Sequence, residues 1–196
     1  MKQCYYHDLS DPKGFQYWLT EKLAPVLLAA KPAELLCFSG DDEEGARRVL
    51  LIQHYVSRIS CVDFKKFSLK NGRQKILFFH RGALEKTLRD SRNHRFLLKQ
   101  GYPETVNMEA YLDLLVLKIS TGKIPHEIGV FLGYPLKDVL GYIGHPSLKL
   151  TKVNGWKIYG NPTASDRTYE AIVRAKETIR QQLAKLDPDQ VISQFC

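Results

Sequence analysis

The spacing of apolar residues predicts that most of the chain is helical. Four stretches carry apolar side chains three or four positions apart, which places them on one face of a helix. These stretches are residues 12–22, 49–59, 108–119 and 165–183. Asp11, Asn107 and Ser165 are predicted N-caps, because their side chains can accept hydrogen bonds from the first backbone N–H groups of a helix. Residues 82–100 are predicted to form one or two further helices with a basic surface.

Short runs of β-branched and aromatic residues predict two β-hairpins. Residues 61–69 and 74–80 flank Asn71-Gly72, and residues 150–153 and 156–159 flank Asn154-Gly155. An Asn-Gly pair supplies the positive φ angles that a tight hairpin turn needs. Residues 76–79 are apolar without interruption, which predicts a central strand. The alternation slips at Lys65-Lys66, where a bulge is expected.

The order of these elements predicts one α/β or α+β domain over residues 1–196. A small mixed sheet would contain both hairpins, and helices would cover it. A chain of this length buries enough surface for one core. No apolar run is long enough to span a bilayer, and residues 1–8 contain no apolar run with a cleavage site. A cytoplasmic location without membrane contact is therefore expected.

The cysteines give little support to a thiol or metal site. Cys4, Cys37, Cys61 and Cys196 share no C-x-x-C spacing, so reduced thiols are expected, with Cys37 and Cys61 in the core. A thiol enzyme needs a base beside its nucleophile. Cys37 and His80 are the pair that the predicted strands could bring together, and the alternative is a core cysteine with a strand-end histidine.

The most patterned segment is residues 125–139, which is typical of a helix-turn-helix. Gly129 would allow close helix packing, and Gly133 would lie at the turn. A DNA-reading helix must present hydrogen-bonding groups to base edges, yet the exposed positions here would be largely apolar. The segment is therefore interpreted as a tight helical corner, and a nucleic-acid reader over residues 126–143 is the alternative.

Candidate ligand-binding residues cluster in this segment and in the second hairpin. They are His126, Glu127, Gly129, Phe131, Gly133, Tyr134, Pro135, Asp138, Trp156 and Tyr159. The aromatic residues among them could hold a ligand or could belong to the core. No metal ligands are assigned, because His126-Glu127 lacks the second histidine that a helical zinc site needs. No catalytic residues are assigned either, and the identity of any cofactor stays open.

Basic residues exceed acidic ones, 29 to 21, and give the chain a net charge of +8. The excess is concentrated in the first hairpin and in residues 82–100. The candidate anion-binding residues are Lys65, Lys66, Arg73, Lys86, Arg89, Arg92 and Arg95. Such a surface attracts nucleic acid, phosphates or an acidic protein, and the alternative is a solvated basic face without a partner.

The segment from His126 to Val139, followed by residues 155–160 (Gly-Trp-Lys-Ile-Tyr-Gly), resembles an uncharacterised bacterial family called domain of unknown function 3793. Ala24-Pro25 with residues 31–33 resembles its amino-terminal block, and residues 101–103 resemble its middle. The resemblance implies a single-domain intracellular protein. It also implies a link to iron or redox housekeeping, since genes of the family lie near iron-uptake and flavodoxin genes. Where the family has His-Cys before Ala-Pro, this chain has Lys22-Leu23.

These observations favour a non-catalytic accessory or binding protein for an acidic partner or a small anionic ligand. Nucleic-acid binding through the helix-turn-helix-like segment and the basic surface is the first alternative. A thiol-dependent enzyme is the second. The oligomeric state stays open.

Overall fold

The computed structural model describes residues 11–38, 43–68, 74–121 and 124–195. Helices and strands are intermixed along the chain. In chain order they are α1 (Pro12–Leu27), β1 (Ala33–Phe38), α2 (Glu43–Val56), β2 (Val62–Ser68), β3 (Gln74–His80), α3 (Arg81–Arg89), α4 (Ser91–Lys99), α5 (Met108–Ser120), α6 (Ile128–Phe131), α7 (Leu136–Ile143), β4 (Leu150–Asn154), β5 (Trp156–Tyr159), α8 (Thr163–Leu183) and α9 (Pro188–Ile192). The expected mixture of helices with two hairpins is confirmed.

Two of the three predicted N-caps are confirmed. The Asp11 carboxylate accepts from the Gly14 N–H at 2.7 Å, and the Asn107 side chain accepts from the Ala110 N–H at 3.0 Å. Ser165 is not a cap, because α8 begins two residues earlier, at Thr163. Its hydroxyl is buried and forms hydrogen bonds inside the protein instead.

The first hairpin belongs to an antiparallel sheet with the strand order β1-β3-β2. Residues 76–79 lie in the central strand, as predicted. The pairing of β2 with β3 runs without interruption from Val62↔His80 to Ser68↔Gln74, so the bulge expected at Lys65-Lys66 is wrong. The predicted turn residues, Asn71-Gly72, lie outside the described residues.

Both faces of this sheet are covered, which explains the irregular apolar pattern in β2. One core cluster contains Ile76 and Phe78 with α1 and α2, and Val62 belongs to it. A second cluster contains Leu77 and Phe79 with α3, α5 and α6, and Phe67 belongs to it. Successive side chains of a strand point to opposite faces. The apolar side chains of β2 therefore pack on one face of the sheet at Val62 and on the other face at Phe67, which explains the apparent slip.

The second hairpin forms a separate two-stranded antiparallel sheet, β4-β5. The single mixed sheet expected from the sequence is therefore two antiparallel sheets, while the α/β class stands. The pairing shifts between Leu150 and Lys152. Ile158 is fully buried, and β5 packs on α7. The hairpin is thus held by helices rather than by the first sheet.

Close backbone approaches hold the corner between α6 and α7 against its neighbours. A Cβ atom at Gly129 would lie 2.8 Å from Val139 Cγ2, so the predicted close packing of the two helices is present. Gly133 has a φ of +80° and lies against Pro32. Gly141 lies directly under the Tyr159 ring. These contacts set the position of α7 beside β5.

No helix within the described residues is long and apolar enough to cross a membrane.

Gly141→Ala tests the contact between α7 and β5. Its Cβ would clash with Cβ and Cγ of Tyr159, so we expect the free energy of unfolding to fall by about 1–3 kcal/mol, the usual effect of an overfilled core. Urea unfolding followed by circular dichroism measures it. Gly82→Ala is the matched control, because the nearest atom to its Cβ is His80 Cε1 at 3.6 Å; equal stability of the two variants would contradict the contact.

Candidate functional site

The centre of the site is the carboxylate of Asp138, whose side chain is only 2% exposed. Its Oδ1 accepts from Lys137 Nζ at 2.6 Å and from the backbone N–H of Tyr159 at 2.9 Å. Its Oδ2 accepts from Ser165 Oγ at 2.6 Å and from the indole N–H of Trp156 at 2.9 Å. Asp138 therefore joins α7 to the second hairpin and to α8.

Lys137 completes this network from the neighbouring position in α7. Its Nζ also donates to the Tyr159 carbonyl oxygen at 2.8 Å and to Ser165 Oγ at 2.7 Å. The backbone N–H and C=O of Tyr159 are thus both bound by side chains of α7. Side chains of a helix therefore take the place that a further strand or water would occupy at this residue of the β5 edge.

The environment of Asp138 favours its charged form. Burial alone would raise the pKa of this carboxyl, but hydrogen bonds from Lys137, Ser165, Tyr159 and Trp156 outweigh burial and hold its pKa below the usual range. The Asp138 charge is thus balanced by Lys137 and by neutral donors.

A stack of two aromatic rings lies next to this network. The rings of Tyr134 and Trp156 are nearly parallel, 25° apart, with centroids separated by 4.9 Å. Lys31 Nζ lies 5.7 Å from the centroid of Tyr134 and forms a 2.7 Å ion pair with Glu34. Burial raises the pKa of the Tyr134 hydroxyl, with a smaller contribution from the Glu34 charge. The Trp156 indole is fixed by its stack and by its hydrogen bond to Asp138.

A groove of about 490 Å³ opens between the α6–α7 corner and β5. It combines apolar side chains with a few polar ones. Its lining residues are Ile124, Pro125, His126, Ile128, Gly129, Tyr134, Asp138, Val139, Tyr142, Trp156 and Lys157. The Tyr142 ring contacts two of them: its centroid lies 5.4 Å from that of His126 and 5.6 Å from Lys157 Nζ. The His126 imidazole and the Lys157 ammonium, which can both donate to an anion, therefore lie beside the Tyr142 ring.

The structure brings five of the ten candidate ligand-binding residues to the groove: His126, Gly129, Tyr134, Asp138 and Trp156. The other five support the groove or lie elsewhere. Pro135 is the N-cap of α7, Gly133 packs on Pro32, and Tyr159 packs on Gly141.

Glu127 and Phe131 belong to the interior behind the groove. Phe131 is fully buried, and its ring centroid lies 5.7 Å from that of Tyr102. Glu127 is 5% exposed and pairs with Lys118 Nζ at 2.7 Å. Burial, together with the Glu127 charge, raises the pKa of Tyr102. Glu127 is therefore part of a buried ion pair rather than a group available to a ligand.

Sequence reasoning missed Lys137, Tyr142, Lys157 and Ser165 as site residues. Lys137 and Ser165 were visible as a lysine beside an aspartate and as a serine before a helix, patterns that are common on surfaces and caps. Only the fold shows that both reach one carboxylate. Lys157 lies within the motif of residues 155–160, but neither it nor Tyr142 shows a ligand-binding pattern in the sequence, because their role depends on the position of α7 beside β5.

The helix-turn-helix interpretation is not supported. Its first helix, α6, has only four residues. In α7, Val139 and Gly141 are buried, Leu136 and Leu140 pack on the core, and the Lys137 ammonium is occupied. The exposed side chains of α7 are Tyr142 and Ile143, which present a single hydroxyl, so α7 gives little support to a helix that reads DNA bases.

The pair expected for a thiol enzyme is not brought together. Cys37 pairs with Lys75 near one end of β3, whereas His80 lies at the other end. His80 instead accepts from the Ala83 N–H at 3.2 Å as the N-cap of α3. Cys37 is exposed rather than buried. Cys61 is disulfide-bonded, which contradicts the expectation of reduced thiols.

Several of the candidate anion-binding residues are already paired with carboxylates. Lys65 contacts Glu109 and Asp113 at 2.7 and 3.0 Å. Arg89 pairs with Glu85 at 3.0 Å, and Arg92 with Asp90 at 3.6 Å. Lys66, Lys86 and Arg95 are exposed, and Arg73 lies outside the described residues. The basic surface is thus partly neutralised within the chain.

In the part of the chain that the structure describes, no three His, Cys, Asp or Glu side chains are grouped as metal ligands.

The fold is that of an α/β protein with a groove at a helix–hairpin junction. Residues 19–192 match the model of a family described as "Protein of unknown function (DUF3793)". The chain therefore belongs to this family, as its resemblance indicated. No curated protein and no solved structure matches the chain.

Asp138→Asn tests the central carboxylate. The change removes the charge that balances Lys137 and sets an amide N–H₂ against the donors that now bind the carboxylate. We expect the free energy of unfolding at pH 7 to fall by about 3 kcal/mol, the usual cost of breaking a buried ion pair. Chemical denaturation measures it. The control is Asp166→Asn, which breaks the partly exposed Lys152–Asp166 pair of 2.8 Å and should cost less than about 1 kcal/mol.

Comparison of Asp138→Asn with the unmodified protein also tests the pH dependence of stability. Because the pKa of Asp138 is lowered by folding, its stabilising contribution is present above its unfolded pKa of about 3.9 and is lost as the pH falls through its folded pKa. Unfolding experiments from pH 6 to pH 2 should show a smaller acid-induced loss of stability in Asp138→Asn than in the unmodified protein. Parallel curves would argue against a carboxylate that is charged in the folded state.

Proposed function

We propose that this protein is a non-catalytic accessory protein that binds a small anionic ligand with a flat, apolar portion. The observation that carries the proposal is the groove beside the Tyr134–Trp156 stack, with Lys157 and His126 in its lining. Its volume is within the range of sites that hold small molecules, and its walls combine aromatic and aliphatic surface with a few polar groups.

The rigidity of the aromatic wall supports binding. The Trp156 indole is held by Asp138 on its edge and by Tyr134 on its face, and its ring also lies 6.3 Å from that of Tyr169. A side chain that is ordered before binding loses little conformational entropy when a ligand arrives. A flat ligand can therefore use this surface without first organising it.

The charges at the groove favour an anion. The Asp138 carboxylate lines the groove but is already matched by Lys137 and three neutral donors. Lys157 contacts the Tyr142 ring and has no carboxylate partner among the described residues. The net charge of +8 adds a long-range attraction for anions. An anion would thus meet an available ammonium and no competing free carboxylate.

The arrangement gives less support to the other functions considered. Ser165 and Lys137 are 2.7 Å apart, as in a serine–lysine nucleophile pair. However, Ser165 is fully buried and donates to Asp138, so it is not open to a substrate. An acidic protein partner remains compatible with the exposed Lys66, Lys86 and Arg95, but the pairing of Lys65, Arg89 and Arg92 weakens that surface.

The binding test uses two dyes that differ in charge. The anionic dye 8-anilinonaphthalene-1-sulfonate and its uncharged analogue N-phenyl-1-naphthylamine are titrated into Trp18→Phe, whose only remaining tryptophan is Trp156. We expect saturable one-to-one binding of the sulfonate with quenching of Trp156. Flavin mononucleotide is the first natural compound to test by displacement, because the resemblance to the family implies redox housekeeping.

Lys157→Gln identifies the anion-binding group. It should weaken binding of the sulfonate about fivefold, as expected for one partly exposed charge pair, and leave binding of the uncharged dye unchanged. Lys149→Gln is the matched control, because Lys149 is an exposed lysine at the start of the same hairpin. The proposal would be contradicted if sulfonate binding left Trp156 fluorescence unaltered. It would also be contradicted if Lys157→Gln and Lys149→Gln lost equal sulfonate affinity.

A further inference from the structure

The outer edge of β5 borders the groove. The Gly160 N–H donates to the Lys149 carbonyl at 2.9 Å, toward β4, whereas the Tyr159 N–H points away from β4 and donates to Asp138. Backbone N–H and C=O groups point to opposite edges at successive residues of a strand. The N–H and C=O of Ile158 therefore point toward β4, and those of Lys157 point away from it.

The backbone groups of Lys157 lie on the edge of β5 that Asp138 contacts at Tyr159, and they have no backbone partner from another described element. Lys157 and Asp138 both line the groove. Asp138 binds the N–H of Tyr159, which lies on the same edge of β5 two residues after Lys157. Within the described residues, no backbone group outside the hairpin bonds to the N–H or C=O of Lys157. An N–H donor and a C=O acceptor are thus available beside the apolar lining.

This open edge is only one residue long. At Tyr159 the corresponding groups are occupied by Asp138 and Lys137. In the other direction the strand ends at the turn, where Gly155 has a φ of +73° and lies close to the Tyr169 ring. A long extended segment cannot pair here, whereas a chain end that offers one residue can.

We propose that the groove binds the C-terminal residue of a peptide that ends in an aromatic or large aliphatic side chain. The N–H of that residue donates to the Lys157 carbonyl, and its carboxylate accepts from the Lys157 N–H. The carboxylate charge is attracted by the Lys157 ammonium, and the side chain packs against Trp156, Val139 and Ile128. The inference rests on the proposed function, because the carboxylate is the anionic group of the ligand.

The test compares an amide with its ester. N-acetyl-L-phenylalanine and the acetate ester of L-3-phenyllactic acid have the same ring, carboxylate and shape, but only the amide has the N–H that would bind the Lys157 carbonyl. Both are used to displace 8-anilinonaphthalene-1-sulfonate. We expect the amide to bind about fivefold more tightly than the ester, and Lys157→Gln to weaken both.

Nuclear magnetic resonance of the backbone amides locates the contact. Titration with N-acetyl-L-phenylalanine should shift the Lys157 amide proton downfield, because it gains a carboxylate acceptor. The Ile158 amide, which points toward β4, is the internal control and should move little.

The outcomes separate the two proposals. Equal displacement by amide and ester, no displacement by either, or an unchanged Lys157 amide overturns the peptide proposal, while dye binding at Trp156 still supports an anion site. If the dye leaves Trp156 fluorescence unchanged, the flat-ring site of the proposed function is excluded, and a shift of the Lys157 amide then reports a carboxylate contact without the packing on Trp156 that the peptide proposal requires. If neither compound binds, both proposals are wrong.

Discussion

A carboxylate can be buried in a protein only when enough donors surround it, and the architecture around Asp138 meets this requirement from three segments of the chain. Lys137 comes from its own helix, Trp156 and Tyr159 from the second hairpin, and Ser165 from the helix that follows. Removing the charge from water is costly, so the hairpin and the two helices are held to positions that keep these bonds short. The groove is the space that this arrangement leaves beside the hairpin. Its shape thus depends on an ionic interaction that a ligand never needs to touch directly.

The ion pairs formed by Glu127 and by Asp138 have different structural consequences. Glu127 is buried behind the corner and pairs with the partly exposed Lys118, which links α5 to the corner. Asp138 and Lys137 lie at the boundary between core and groove, where the same chemistry also orients an indole ring. Two acidic residues of one patterned segment thus have separate structural roles. The difference arises from which side of the corner each side chain faces.

Local features of the fold were predictable because they depend on a few neighbouring residues. The caps at Asp11 and Asn107, both hairpins and the packing role of Gly129 follow from short-range chemistry. The bulge in β2 was wrong, because the break in alternation was interpreted as an inserted residue, whereas Val62 and Phe67 pack on opposite faces of a sheet that helices cover on both sides. The pairing of Ser165 with Asp138 spans 27 residues, and no local pattern reports such a contact. The strand-end position of His80 was predicted correctly, whereas Cys37 is exposed rather than buried, and antiparallel pairing with β3 places the two residues at opposite ends of the sheet.

The way in which α7 borders β5 also bears on self-association. A two-stranded sheet with a free edge is a template on which a second copy of the chain can add a strand, and growth by repeated addition leads to aggregates. Two neighbouring side chains of a helix bind both backbone groups of Tyr159 and place a lysine charge on that edge. A copy of the hairpin cannot extend the sheet past this point without displacing a buried ion pair. The same residues that shape the groove therefore oppose the addition of a further strand at Tyr159.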